Sequence, residues 1–279
     1  MRCWTVIMPL PNMGSEELLL MLTNDDGAWA SGLLALKQEL STVGRVIIVA
    51  PDKERSAVGH GITIHHPMRI FEIGEDHFAL SGTPTDCVIF GLRKLLKRSP
   101  DLVVSGINHG PNLGDDIFYS GTVAAAREAA FHQVPAIAVS QVGGAVMPDF
   151  GPAARIVRHL ISKVCPLPRG SFLNVNIPEG NSGKYRFTRQ GSKSIAAGPI
   201  LEKRDPRGRK YFWIGPDESQ WIVEEGSDYH AISQGAISVT PLQRDQTDHA
   251  ALKSWGRDDR DLSSSADFPK DFQFIEQGS

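Results

Sequence analysis

The sequence predicts an α/β fold, a Rossmann-like, doubly wound, mostly parallel sheet with a protruding β-hairpin and a C-terminal arm. Two observations carry the core of that expectation. Five short runs, Leu18–Thr23, Arg45–Ala50, Asp101–Ser105, Pro135–Ser140 and Phe172–Ile177, are apolar on consecutive rather than alternate positions, as strands buried on both faces require. Helical patterns separate them, and strands that alternate with helices predict a parallel sheet whose site forms where loops leave the carboxyl ends of the strands.

Taken in order, the first 17 residues, MRCWTVIMPLPNMGSEE, hold one basic residue, a short apolar patch, two prolines and no small-residue cleavage site. They make a poor signal peptide and read as an extension outside the core. The first strand ends in Thr23-Asn24-Asp25-Asp26-Gly27, and Leu33, Leu36, Leu40 and Val43 then recur at helical spacing. Val88 to Leu96 continues a helical pattern after Pro84, residues 122–131 are Ala-rich, and a further helix is expected over Ala153 to Val164. After Pro178, Gly, Ser and Lys interrupt Tyr185–Thr188 and Lys210–Ile214, and the RDPRGRK turn at 204–210 predicts an antiparallel hairpin within about 184–214. Ile237–Thr240 reads as a last strand, and the segment from Gln246 has a weak helical pattern before a polar tail with Ser263–Ser265. The expected organisation is an extension at 1–17, an α/β domain at 18–245 and a C-terminal arm or tail at 246–279, which reads either as an arm packing on another subunit or as a mobile segment.

Composition narrows the function. A formal net charge of −3 is far from the basic balance of a nucleic-acid-coating surface, so duplex nucleic acid is not an expected partner. The three cysteines, Cys3, Cys87 and Cys165, form no CxxC spacing, which argues against a disulfide framework or zinc ribbon and for a reducing, cytoplasmic setting. No apolar run reaches the 18 or so residues of a membrane span.

Two segments can carry chemistry. Asp25 and Asp26 place adjacent carboxylates at a strand end, and two acids that close repel each other unless a hard cation such as Mg²⁺ or Mn²⁺ sits between them. The same Asn-Asp-Asp-Gly also reads simply as a turn with a helix-capping Asp. Residues 104–122, VSGINHGPNLGDDIFYSGT, lead from a buried strand into the Ala-rich helix. Their glycines allow backbone N–H groups to approach an anion at the helix start, although a Gly/Asn-rich loop can equally be an irregular connection. The segment matches neither GxxxxGK followed by Ser or Thr nor GxGxxG in its dinucleotide context.

LTNDDG at 22–27, APDKERSAVGHGIT at 50–63, SGTPTDCV at 81–88, PDLVVSGINHGPNLGDDIFYSGTVAAAREA at 100–129 and ISVTPL at 237–242 resemble, in order and spacing, the SurE family of survival-protein nucleotidases. The resemblance spans roughly 18–245. It implies a metal-dependent phosphatase releasing phosphate from nucleoside 5′- and 3′-monophosphates, with short polyphosphate as a further substrate of some members. It also implies one divalent ion per subunit, Mg²⁺ or Mn²⁺, and a C-terminal oligomerisation arm giving a homodimer or homotetramer. Carried over by position, it assigns metal ligation to Asp25, Asp26, Ser56 and Asn108, catalysis to the two aspartates, and phosphate binding to Asn112, Gly114, Ser120, Gly121 and Thr122. Trp29 and Ser31 stand where relatives often have His and Pro, and Ala57 where Gly is common; Trp29 is a candidate for base stacking or for packing.

His60 and His109, beside the ligand loops, are candidate proton donors or structural histidines, and Asp228 and His230 are candidates to approach the site. His65-His66 reads as strand decoration, and Asp86 as the brace of a helix start. The expected reaction is metal-assisted hydrolysis by water, with an aspartate or metal-held hydroxide as base. One alternative is attack by an aspartate through an aspartyl-phosphate, which adjacent rather than alternate aspartates disfavour. Another is a catalytically silent nucleotide-binding module, which gains little from two negative charges.

Overall fold

The computed structural model describes residues 17–143, 148–194, 198–215 and 220–255. Strand β1 (Leu19–Thr23) is buried throughout, and its side chains alternate between two cores: Leu20 and Leu22 join one hydrophobic cluster, Leu19 and Met21 a second on the opposite face. That two-sided burial is why the run is apolar at every position. Helix α1 (Ser31–Leu40) buries Leu33, Leu36 and Leu40 on the first core, and β2 (Arg45–Pro51) pairs with β1 in parallel. Across the sheet, α2 (Pro84–Phe90) opens on a reciprocal capping box. The Thr83 hydroxyl accepts the Asp86 N–H and the Asp86 carboxylate accepts the Thr83 N–H.

Next come β5 (Leu102–His109), α3 (Gly121–Phe131), β6 (Ala136–Val142), α4 (Gly151–Val164) and β7 (Phe172–Pro178). With the outer strands β3 (Ile70–Gly74), β4 (His77–Leu80), β8 (Tyr185–Phe187) and β13 (Ile237–Leu242), they complete a nine-stranded sheet in the order β3-β4-β2-β1-β5-β6-β7-β13-β8. The strands from β4 to β7 run parallel, while β3 and β13 pair antiparallel to their inner neighbours. The chain winds outward from β1 through β2 and then returns to β1's other side with β5. This reversal opens a crevice between the carboxyl ends of β1 and β5, where doubly wound sheets bind ligands.

Two expectations are corrected and two strands are added. The hairpin predicted over 184–214 is narrower: β10 (Ile200–Arg204) pairs with β11 (Lys210–Ile214), whereas β8 joins the main sheet beside β13, and β9 (Lys193–Ser194) pairs with β12 (Gln220–Trp221). Sequence reading joined the nearest extended runs, but a three-residue strand finds its partner some 50 residues later. Strands β3 and β4 were not anticipated, because β3 is an exposed edge without a buried-strand signature. The His65-His66 pair is exposed and lies outside any strand.

The chain divides into one compact unit reaching Arg244 and a second from Asp245, whose described part holds α6 (His249–Trp255). Of the predicted N-terminal extension only Glu17 is described, and the Ser263–Ser265 tail lies outside the described residues.

Candidate active site

The turn after β1 is locked by Asn24, whose Nδ2 donates to the Gly27 carbonyl (2.9 Å) and whose Oδ1 accepts the Gly27 N–H (3.2 Å). Gly27 sits at φ +105°, a conformation that a side chain would strain. Ala28 donates its N–H to Pro51, and Arg55 donates its N–H to the Asp25 carbonyl (2.7 Å), stitching the loops after β1 and β2 together.

Asp25 meets the start of α3 directly. Its Oδ1 accepts the Thr122 hydroxyl at 2.5 Å and its Oδ2 accepts the Thr122 N–H at 3.2 Å, and the Gly121 N–H also bonds the carboxylate. Burial raises the Asp25 pKa, and these donors act in the opposite direction. Asp26 is pushed up to about 6, first by burial and then by the negative charge of Asp25. The Glu54 charge adds to the rise, while a hydrogen bond from the His109 backbone opposes it. Among the described residues no Lys or Arg forms an ion pair with either aspartate.

Ser56 is exposed and donates its hydroxyl to Glu54 Oε1 (2.6 Å). Asn108, at the end of β5, donates Nδ2 to the Gly110 carbonyl (2.9 Å), which fixes the amide and leaves its oxygen as the donor for a cation. Two acids that form no ion pair with Lys or Arg among the described residues, an amide oxygen and a hydroxyl are all hard oxygen donors and fit a divalent ion of the Mg²⁺ or Mn²⁺ type. Among the described residues no group of three or more His, Cys, Asp or Glu is placed to hold a metal ion, so a cation here would rest on the two aspartates together with the Asn108 amide and the Ser56 hydroxyl.

The residues expected to bind phosphate divide into two groups. Ser120 caps α3, its Oγ accepting the Val123 N–H (3.1 Å), so its hydroxyl proton is free for an anion. Gly121 and Thr122 present the positive end of α3, but their N–H groups are directed at Asp25. Asn112 is a keystone instead of a free donor. Its N–H bonds Asn176 Oδ1 (2.9 Å), its Nδ2 bonds Ser140 Oγ (2.8 Å), and its carbonyl accepts the side-chain amides of Asn174 and Asn176. The Gly114 N–H is taken by Asp228 Oδ2 (2.8 Å). Thus the structure brings Asp25, Gly121 and Thr122 into contact and sets Asp26 beside His109, whereas Asn112 and Gly114 shape the loop from behind.

The remaining candidates separate in the same way. His60 Nε2 bonds Glu128 (2.8 Å), its ring stacks on Phe131 (5.4 Å between centroids), and Glu128 also binds His132 (3.1 Å). Glu128 lies six residues beyond Thr122, about 9 Å along the helix, so this contact braces the loop carrying Ser56 instead of pointing His60 at the phosphate end. His109 packs edge-on against Phe150 and borders Asp26. Asp86 caps α2 and also accepts the Thr63 N–H (2.9 Å). His230 lies in the first turn after the Ser227 cap of α5 (Asp228–Ser233), its N–H bonded to the Ser227 hydroxyl. Trp29 is 60% exposed on the turn before α1.

Sequence reasoning missed Glu54, Asn174 and Asn176. Glu54 stands two residues before Ser56, and the two asparagines occupy alternate positions in an otherwise apolar buried strand, a pattern that signals a polar network.

The family model of survival protein SurE matches residues 20–197. The 5′-nucleotidase SurE of Geotalea daltonii is 50% identical over 244 residues, covering 85% of this chain and 98% of that protein. The namesake of Vibrio parahaemolyticus is 44% identical over 262 residues, 91% of this chain and all of that protein. The crystal structure of SurE protein from Aquifex aeolicus superposes with a TM-score of 0.73 at 40% identity, covering 85% of this chain and 97% of that one. Agreement of this breadth, over a chain whose paired acids and capped helix meet at the sheet's switch point, makes the chain a member of the SurE family.

Proposed function

We propose that the chain is a metal-dependent phosphatase acting on nucleoside 5′-monophosphates, with Asp25, Asp26, Ser56 and Asn108 holding one divalent ion and the start of α3 facing the phosphate. The observation that carries this reading is the pair of largely buried carboxylates, without a Lys or Arg partner among the described residues, set against the N-terminus of a helix. Relatives named 5′-nucleotidase SurE support the substrate class.

When bound, a divalent ion supplies positive charge that activates water and offsets the charge developing on the phosphoryl group. The chain's own residues do the rest. Thr122 and Gly121 hold the Asp25 carboxylate in one orientation, so it serves as a fixed ligand and cannot turn freely toward phosphorus. Asp26, bonded by the His109 backbone and more open to solvent, is the carboxylate placed to accept a proton from the attacking water. The Ser120 hydroxyl donates to a phosphate oxygen while the α3 dipole favours the anion.

Phosphate release from AMP with Mn²⁺, repeated after chelation, tests the function. Release that chelator abolishes and Mn²⁺ restores is expected, and release indifferent to chelator overturns the reading. Single-turnover hydrolysis in ¹⁸O-water is expected to label the first phosphate released. That label alone is shared with an aspartyl-phosphate opened by water at phosphorus, so a substrate made chiral at phosphorus separates the two: one displacement by water is expected to invert configuration, and net retention would show aspartyl-phosphate chemistry instead.

A further inference from the structure

Asp228 is fully buried, 114 residues from Gly114 in sequence, and has no part in the chemistry above. Its carboxylate nonetheless ends directly on the loop between β5 and α3. Oδ2 accepts the Gly114 N–H (2.8 Å), while Oδ1 accepts the N–H groups of Gly191 (2.9 Å) and Tyr229 (2.8 Å). A buried carboxylate is costly unless its oxygens are satisfied, and here three backbone donors from three separate segments satisfy it.

We propose that Asp228 is a positioning residue of the active site, tying the Gly114 turn to the layer behind it and so setting the course of the loop from Asn112 to the Ser120 cap. This inference rests on the phosphatase reading above.

Several features make the contact a seat instead of an incidental bond. Gly114 lies at φ +50°, and a Cβ there would come within 2.5 Å of the Trp221 ring and 3.0 Å of the Gly191 carbonyl oxygen, so the loop rests flush on the 191 and 221 segments. Lys193 donates its N–H to Asp115 (3.1 Å) and its Nζ to Asp116 (2.6 Å), and sits 4.5 Å over the Trp221 ring, which stacks on Tyr229. The near end of the loop is fixed by Asn174 and Asn176 through Asn112. Asp228 joins the middle of that loop, Gly191 and the start of α5 through one side chain. Only a carboxylate offers acceptors on both sides, because an asparagine in its place would turn an NH₂ toward one of the N–H donors.

The test compares Asp228→Asn with the wild-type full chain, using Arg189→Ala as control, since Arg189 lies two residues before Gly191 but its exposed side chain pairs with Glu224 and not with Asp228. Because Asp228→Asn can fail to fold, Gly191→Ala is a second variant. Its Cβ would stand 2.7 Å from Asp228 Oδ1 and displace the carboxylate without removing its charge. With Mn²⁺ present, Asp228→Asn is expected to raise KM for AMP and the inhibition constant of inorganic phosphate about tenfold, with kcat within about threefold. Gly191→Ala should move both constants in the same direction by less, and Arg189→Ala should move neither. The backbone amide resonances from Gly114 to Ser120 should shift in both Asp228→Asn and Gly191→Ala. Unchanged KM and phosphate inhibition, or amide shifts confined to residues 189–191 and 227–229, would reduce Asp228 to a structural residue and overturn the proposal. The amide readout does not need turnover, so an inactive wild-type chain would refute the phosphatase reading while still deciding whether Asp228 fixes the loop.

Discussion

At the scale of single residues, Thr122 and Asp25 form the tightest joint of the site. Asp25→Asn and Asp26→Asn are each expected to leave the fold intact and remove most metal-dependent phosphate release, because each deletes a full ligand charge. Circular dichroism and an AMP assay check this together. Thr122→Val removes the hydroxyl held by Asp25 Oδ1 but keeps the shape, and should cost about 10- to 100-fold in metal affinity, whereas Thr122→Ser should retain it. Metal titration followed by activity separates the two. His77 gives a prediction in pH. It is buried, donates Nε2–H to the Ala28 carbonyl (2.8 Å), and its pKa is lowered by that burial. As pH falls below the ordinary value of about 6.5, the unfolded chain takes up the proton first. The stability from neutral His77 is therefore complete above that value and is lost as pH falls through the folded pKa. Urea midpoints at pH 7.5 and 5.5 should differ less in His77→Gln, which keeps a donor for Ala28, than in the wild type.

At the scale of elements, helix α3 joins both loops of the proposed site, because its first turn touches Asp25 and its third braces the loop after β2 through Glu128 and His60. Gly121 has to be glycine: a Cβ would lie 2.9 Å from Asp25 Cβ and 3.0 Å from Oδ2. Gly121→Val should therefore lower kcat and raise KM by disturbing the carboxylate and crowding the anion, and unchanged kinetics would show that the helix start has no part in the reaction. The five inner strands and four long or capped helices were legible because two-sided burial makes consecutive apolar runs and one-sided burial makes helical stripes, as in Leu19–Thr23 and Leu33–Leu40. The edge strand Ile70–Gly74 was not, because it is exposed and lacks a buried-strand pattern, and Tyr185–Phe187 was legible as an extended run but not by its partner, which lies some 50 residues later in β13. The adjacent acids were legible as a strand-end pair open to two readings, a cation site or a turn, and the family resemblance favoured the first. The diversion of the Gly114 and Asn112 donors was not, since Asp228, Asn174 and Asn176 reach them only in the folded chain.

At the scale of the whole molecule, the β10–β11 hairpin displays Phe212, Trp213 and Ile214 at 60, 61 and 86% exposure, and a two-stranded ribbon with such a surface is marginal in water by itself. A homodimer or homotetramer that covers this ribbon is the proposed assembly. Phe212→Ser combined with Ile214→Ser should shift sedimentation at micromolar concentration toward a smaller species, and an unchanged sedimentation coefficient would place the interface elsewhere. No helix among the described residues is long and apolar enough to cross a membrane. The central claim, that the acids at the β1/β5 crevice exist to hold a divalent ion, is tested most directly by titrating the full chain with Mn²⁺ and reading free Mn²⁺ by electron paramagnetic resonance. One tight site per chain is expected in the wild type, and affinity lower by about 100-fold or more in Asp25→Asn and Asp26→Asn. Equal Mn²⁺ affinity in all three proteins, or no site in the wild type, would contradict it.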